Sequence, residues 1–360
     1  MSMRIWSAAP LAAAAFATLG AAGSPASAAP EQKISGPHTH ENLAIYFIHG
    51  TSAGGPVPLT LAEALTKGRV QVIETGRVNE LQIENTGEEE VFIQAGDIVK
   101  GGRQDRVLTV SFLLPPRSGM VPIASFCVEA GRWSGRGTED STRFSSAADA
   151  MPSRQALIVM SAPPPSTAPV GPRPAGAQNV AQHGGDTPNR QQQVWDSVAK
   201  VQSELSTGLN APVAAPQSST SLQLSLEHEK VKEARTAYIA ALEAQGLQEG
   251  DVVGYIVAIN GKTVSANIYP SNGLFQKMWK KQLAAVVTEA IGDRAGLEPP
   301  SPPPTTAAAG EFLAAAEKGT AQERETAASM RQETRDSSGA LYNEARRDKG
   351  GWVHKNYLRK

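Results

Sequence analysis

The densest group of chemistry-bearing side chains is Asp97-Ile98-Val99-Lys100-Gly101-Gly102-Arg103-Gln104-Asp105-Arg106. Two adjacent glycines let backbone N–H groups converge without Cβ obstruction, and Lys100, Arg103 and Arg106 add fixed positive charge. These residue types at this spacing suit an anion, because a guanidinium presents a planar fork that matches phosphate or carboxylate oxygens. The same run also fits a tight β corner whose arginines are neutralised by Asp97, Asp105 and Glu129. A second group, Cys127-Val128-Glu129-Ala130-Gly131-Arg132-Trp133, ends a strand downstream. Its carboxylate, guanidinium and indole could hold a ring and orient a polar group, with Glu129 as candidate general base. The alternative is a strand end at which Trp133 caps the core and Glu129 pairs with Arg132. The candidate ligand-binding set is therefore Lys100, Gly101, Gly102, Arg103, Gln104, Arg106, Arg132 and Trp133. Cys127 lies in an apolar strand and reads as an inert core thiol.

The histidines are scattered. His38 and His40 follow Gly36-Pro37, where an exposed coil is expected, and make a weak metal pair. His354, in Gly351-Trp352-Val353-His354, is the weaker catalytic candidate, with a solvated strand histidine as its plain alternative. Gly-x-Ser-x-Gly, Walker and His-Glu-x-x-His patterns are absent, so the sequence indicates no enzyme class, metal or cofactor.

The elements that position these groups are short. Leu43-Ala44-Ile45-Tyr46-Phe47-Ile48 is β-rich, and Thr60-Leu61-Ala62-Glu63 is a capping box opening a helix that Gly68 closes. Val70/Val72, Leu81/Ile83 and Val91/Ile93 alternate with period two, and Asn85-Thr86-Gly87 stands at a hairpin-turn position. Val107 to Leu114 and Val121 to Val128 predict two further strands about a Pro115-Pro116 turn. In such a meander the Arg103 loop and the Glu129 strand end fall at one edge of the sheet, and exposure decides between ligand site and corner.

From 152 to 221 the composition turns to Pro, Gln, Ser and Gly, predicting a flexible insertion with a short docked helix near 194–205. The spacing then predicts a helix over 224–244, a strand from Val252 to Ile259 turning at Asn260-Gly261, and a helix over 274–291. These belong to one part, 222–298, followed by a Pro-rich hinge over 299–310. Residues 311–360 carry ten basic and eight acidic residues but read as a short helix and β hairpins, with turns at Ser338-Gly339 and Gly350-Gly351. The resulting expectation is an α+β fold, β-dominated, in which a sheet or sandwich (29–151) packs with two longer helices and C-terminal hairpins.

Composition bounds the partners. The 360 residues hold 34 Lys+Arg against 35 Asp+Glu, a net charge of −1, which excludes a charge-driven nucleic-acid binder. One cysteine excludes an internal disulfide framework and Cys-rich zinc modules. Arg4, the apolar run to Leu19 and Ala26-Ser27-Ala28 read as a cleaved Sec-type signal peptide over 1–28. The expected chain is thus periplasmic or secreted, has no membrane span once the signal is removed, and has a small anionic ligand as its conceivable partner.

Together, Asn42-Leu43 with the strand after it, Leu61-Ala62-Glu63-Ala64-Leu65, Asp97 to Arg106, Cys127 to Trp133, Trp195, Val257-Ala258-Ile259-Asn260-Gly261, Trp279 and Val353-His354 resemble the ARG and rhodanese-phosphatase-superfamily-associated protein domain family. The resemblance spans about residues 38–358, and Gly-Gly-Arg-Gln-x-Arg and Glu-x-x-Arg-Trp are its most specific parts. That family is named for genomic neighbours acting on ADP-ribose conjugates and phosphoesters. The resemblance therefore implies a link to NAD-derived, ADP-ribose-related metabolites. The expected function is binding or hydrolysis of a phosphate- or carboxylate-bearing, nucleotide-like ligand, with a non-catalytic cell-envelope binding or structural module as the alternative.

Overall fold

A computed structural model describes residues 33–135, 141–161, 187–294 and 301–360. The signal-peptide expectation over 1–28 lies outside them. In chain order the first part forms β1 (Ile34–His40), β2 (Leu43–His49), β3 (Leu59–Thr60), α1 (Leu61–Thr66), β4 (Val70–Arg77), β5 (Glu80–Asn85) and β6 (Val91–Ile93). It continues through β7 (Asp97–Gly101), β8 (Arg106–Leu108), β9 (Phe112–Leu114), β10 (Gly119–Cys127) and β11 (Phe144–Ala150). Helices α2 (Arg154–Ser161), α3 (Thr187–Gly208), α4 (Leu222–Leu226) and α5 (Glu229–Leu242) lead to the hairpin β12 (Val252–Ile259) and β13 (Lys262–Ile268). Then come α6 (Asn272–Gly292), α7 (Thr306–Ala316), β14 (Thr320–Glu325), β15 (Met330–Asp336), β16 (Ala340–Arg347) and β17 (Trp352–Arg359). The fold is α+β and β-dominated.

An eight-stranded antiparallel sheet, ordered β1-β2-β12-β13-β17-β16-β15-β14, joins the two ends of the described chain. Its centre is apolar on both faces, which explains why β2 and β12 are buried at every position. Leu43, Ile45 and Phe47 enter the main core, whereas Ala44, Tyr46 and Ile48 meet Phe312 and Leu313 of α7 on the other side. Asn260 and Gly261 both take positive φ (52° and 73°), the primed-turn geometry that this dipeptide favours. A six-stranded sheet, β11-β7-β8-β10-β5-β4, and a small sheet, β3-β6-β9, complete the β structure. Helix α6 packs against both β11 and β12, so it sits between the two large sheets. Thr60 and Glu63 form the expected capping box.

Five local expectations need correction. Val107 to Leu114 is not one strand: β8 stays in the six-stranded sheet while β9 pairs β6. Asn85 does not turn a hairpin into β6, because β5 pairs β4 and β10. Its side chain instead donates to Glu89 O (2.7 Å) and Pro115 O (3.0 Å), tying the chain as it crosses between sheets. The helix over 224–244 breaks at His228, which caps α5 by accepting from Lys230 N. Within 152–221, α3 runs for 22 residues and buries Val194, Val198, Val201 and Leu205 on one face. His38 and His40 lie on β1 rather than in coil.

One packed charge gives a pH prediction. Glu289 of α6 is nearly enclosed beside Arg154 (2.7 Å), and burial, aided by the Asp293 and Glu204 charges and opposed by Arg154, pushes its carboxyl up to about 7. A carboxyl raised in the folded state stabilises below its unfolded value and loses that contribution as pH rises through 7. Glu289→Gln removes this dependence. Denaturant titrations should therefore show the variant gaining on the native chain by up to about 3 kcal/mol between pH 4.5 and 8. A gap independent of pH would mean that Arg154 keeps Glu289 ionised throughout.

Candidate functional site

The two polar motifs meet at one edge of the six-stranded sheet. Arg106 begins β8 opposite Cys127 at the end of β10, and Val128 N donates to Asp105 O (3.1 Å). Glu129, Arg132 and Trp133 therefore return beside the loop from Gly101 to Arg106, as the meander requires.

The loop's backbone donors are used internally. Gly101 N donates to Asp105 Oδ1 (3.0 Å), Gly102 N to Arg143 O (3.0 Å) and Arg103 N to Glu74 Oε2 (3.4 Å). The glycines serve close packing: Gly102 has φ +56°, and a Cβ there would stand 2.2 Å from the Phe144 ring. The N–H cradle inferred from Gly101-Gly102 is thus a strand contact with β11. Lys100 is also engaged, by Glu227 Oε1 at 2.8 Å.

Below the loop lies a buried charge network. Arg106, fully buried, donates to Glu74 Oε2 (3.3 Å), Gln104 Oε1 (3.3 Å) and the Cys127 sulfur. Arg132 Nε donates to Glu129 Oε2 (2.6 Å), and its Nη2 lies 3.5 Å from Asp105 Oδ1. Glu129, fully buried, accepts from Ser218 Oγ (2.5 Å), while Gln104 Nε2 donates to the Glu129 carbonyl (2.8 Å). Asp97 does not join this group, since Lys281 of α6 holds it at 2.6 Å. Burial pushes the Cys127 thiol up to about 11, so it stays protonated and inert at neutral pH.

Over the network sits an exposed rim. Trp133 does not cap the core; it is 42% exposed, with the Arg103 and Arg106 guanidinium carbons 5.5 and 5.3 Å from its ring centre. Arg103 is exposed, and among the described residues its guanidinium forms no ion pair. A planar apolar surface therefore adjoins a cation that no carboxylate among the described residues neutralises. This pairing suits a ligand that carries a ring and an anionic group.

His354 stands elsewhere. On β17 it is buried between Ser111 Oγ (2.9 Å to Nδ1) and Asn267 Oδ1 (3.0 Å to Nε2), against Phe92 and Tyr269. Burial drives it down to about 3, so it is a neutral core histidine and not a solvated one. Sequence reading missed Glu74, Gln191 and Ser218. Gln191 of α3 bonds both the N (2.9 Å) and the O (2.9 Å) of Cys127, and Ser218 lies in the segment read as insertion. Only their folded positions give them these roles, and no local pattern marks them.

A family model, the ARG and Rhodanese-Phosphatase-superfamily-associated Protein domain, matches residues 31–358. No curated protein and no solved structure matches the chain.

Proposed function

Since the chain belongs to the ARG and rhodanese-phosphatase-superfamily-associated protein domain family, we propose that it binds a small phosphate- or carboxylate-bearing, nucleotide-like ligand of the ADP-ribose kind. The observation that carries the reading is the exposed Trp133 beside the exposed Arg103 guanidinium, which forms no ion pair among the described residues. An adenine-like ring would cover the open part of the indole, and a phosphate would meet Arg103. Glu74, Asp105, Arg106, Glu129 and Arg132 hold the rim in place. Glu129 acts here by fixing Arg132, because both of its oxygens already accept hydrogen bonds. The family's association with ADP-ribose chemistry, implied by its name, supports the ligand class.

A second reading, a non-catalytic structural module of the cell envelope, is favoured by the internal pairing of Lys100 with Glu227 and of Arg106 with Glu74. A thermal-shift panel separates the two. ADP-ribose, AMP, ribose 5-phosphate and inorganic phosphate are each added to the native chain, Arg103→Ala and Trp133→Ala. The ligand reading expects stabilisation by the ring-bearing phosphates, reaching about 2.7 kcal/mol at a hundredfold excess over Kd, and its loss in both variants. Absence of any shift in the native chain supports the structural module instead.

A further inference from the structure

At the end of β2, on the eight-stranded sheet, His49 faces two carboxylates that precede β12. His49 Nδ1 lies 2.9 Å from Asp251 Oδ1 and 3.5 Å from Glu249 Oε2, and one donor atom from each of the three residues falls within 4.8 Å of the others. We propose that His49, Glu249 and Asp251 form a binding site for a divalent transition-metal ion of the zinc or manganese class.

The spacing of the donors is the first argument. An ion bonded at about 2.1 Å sets adjacent donors roughly 3.0 Å apart in octahedral and 3.4 Å in tetrahedral coordination. The 3.5 Å His49–Glu249 separation already matches, and the 2.9 Å His49–Asp251 separation is that of a hydrogen bond whose proton an ion would replace. The orientation of the imidazole is the second. The side chain of His49 is 3% exposed, and its other ring nitrogen, Nε2, lies 2.7 Å from Ser35 Oγ on β1. Nδ1–H donates to the Asp251 carboxylate, which can only accept. An ion would displace that proton, and Ser35 Oγ can then accept from Nε2–H, the remote hydrogen bond that ordinarily orients a ligating histidine.

The backbone supplies the third argument. Antiparallel pairing sets β12 beside β2, and Gly50 N donates to Asp251 O (2.9 Å). Asn272 Nδ2 donates to Val252 O (2.8 Å) and Glu249 O (3.3 Å), and His49 N donates to Lys33 O (2.9 Å). Glu249 and Asp251, two residues apart, are thereby presented together from a pinned segment. Their side chains remain 58% and 55% exposed, which leaves coordination positions open to water or to a ligand oxygen. One imidazole nitrogen with two carboxylates favours zinc, manganese or iron over the all-oxygen preference of calcium and magnesium. Sequence alone could not show the triad, because His49 and Asp251 are 202 positions apart.

The test is calorimetric titration of the metal-stripped full chain with Zn2+ and with Mn2+, with and without a tenfold excess of Mg2+. The native chain should bind one ion, and Mg2+ should not displace it. Glu249→Gln/Asp251→Asn, whose changes are at exposed side chains and whose folding is checked by circular dichroism, should bind at least a hundredfold more weakly. His38→Ala/His40→Ala should bind as the native chain does. In 15N spectra, Zn2+ should move the Nδ1 resonance of His49. The proposal is overturned by zero stoichiometry in the native chain, by unchanged affinity in the double carboxamide variant, by displacement with Mg2+, or by spectral changes confined to His38 and His40.

Discussion

Replacing Arg106 by leucine should lower the unfolding free energy by about 3–5 kcal/mol, because it removes one partner from a buried pair and leaves the other charged. Arg106 is wholly enclosed, and the Glu74 side chain is only 4% exposed. Glu74 also accepts from Gly76 N (3.0 Å) and Arg103 N (3.4 Å), but these neutral donors do not replace a guanidinium. The loss is therefore mostly the cost of an uncompensated carboxylate. Arg106→Leu/Glu74→Leu should consequently recover most of it, since exchanging a whole buried pair for apolar side chains is often close to neutral. Denaturant titration of the three variants checks both statements. A single variant within 1 kcal/mol of the native chain would mean that the pair is hydrated.

An effect of similar size is expected at the opposite kind of site. Trp279 of α6 is fully buried, its ring 5.4 Å from Phe47, 5.2 Å from Tyr255 and 5.6 Å from Phe275, centre to centre. Its Nε1 donates to Glu243 O (2.8 Å), which fastens the end of α5 to the core. Trp279→Ala should cost about 3–5 kcal/mol, the sum of lost apolar transfer and an unfilled cavity. Trp279→Phe should lose less, retaining ring packing but leaving the Glu243 carbonyl without its donor. Equal losses in the two variants would show that the hydrogen bond, and not the packing, dominates.

These two sites also mark what the sequence made legible. Trp279 lies on a face with Phe275, Met278, Leu283 and Val286 at helical spacing, so its burial in α6 follows from period alone. Asn260-Gly261 likewise carries its own turn geometry, and the C-terminal strands follow from anchors such as Leu341, Val353 and Leu358 between glycine turns. Meander logic placed the Arg103 loop and the Glu129 strand end at one edge of the sheet, where Arg106 pairs with Cys127. It did not reveal that β8 and β9 part company, because Val107 to Leu114 contains neither Gly nor Pro. The break is made by tertiary partners: Ser111 Oγ accepts from Ala95 N (2.9 Å) and bonds His354.

The first turns of helix α3, before the docked helix expected near 194–205, were hidden for a related reason. They are polar, with Gln191, Gln192 and Gln193 in sequence, and Gln191 looks solvated until Cys127 is placed against it. Within the candidate site, the sequence identified the residues that converge but not which of them would remain accessible. Lys100, Gly102 and Arg106 are engaged by Glu227, Arg143 and Glu74, which lie outside the motif, and Gly101 by Asp105 within it. Arg103 and Trp133 remain at the surface because their neighbours are already paired among themselves. Distinguishing the rim from its support thus required the positions of Glu74 and Ser218.

Isothermal titration of ADP-ribose into the native chain and into Arg103→Ala tests the rim most directly. The account predicts one site on the native chain, affinity at least tenfold weaker in the variant, equivalent to about 1.4 kcal/mol, and recovery of intact ADP-ribose afterwards. No binding by the native chain, or equal binding by Arg103→Ala, would contradict it.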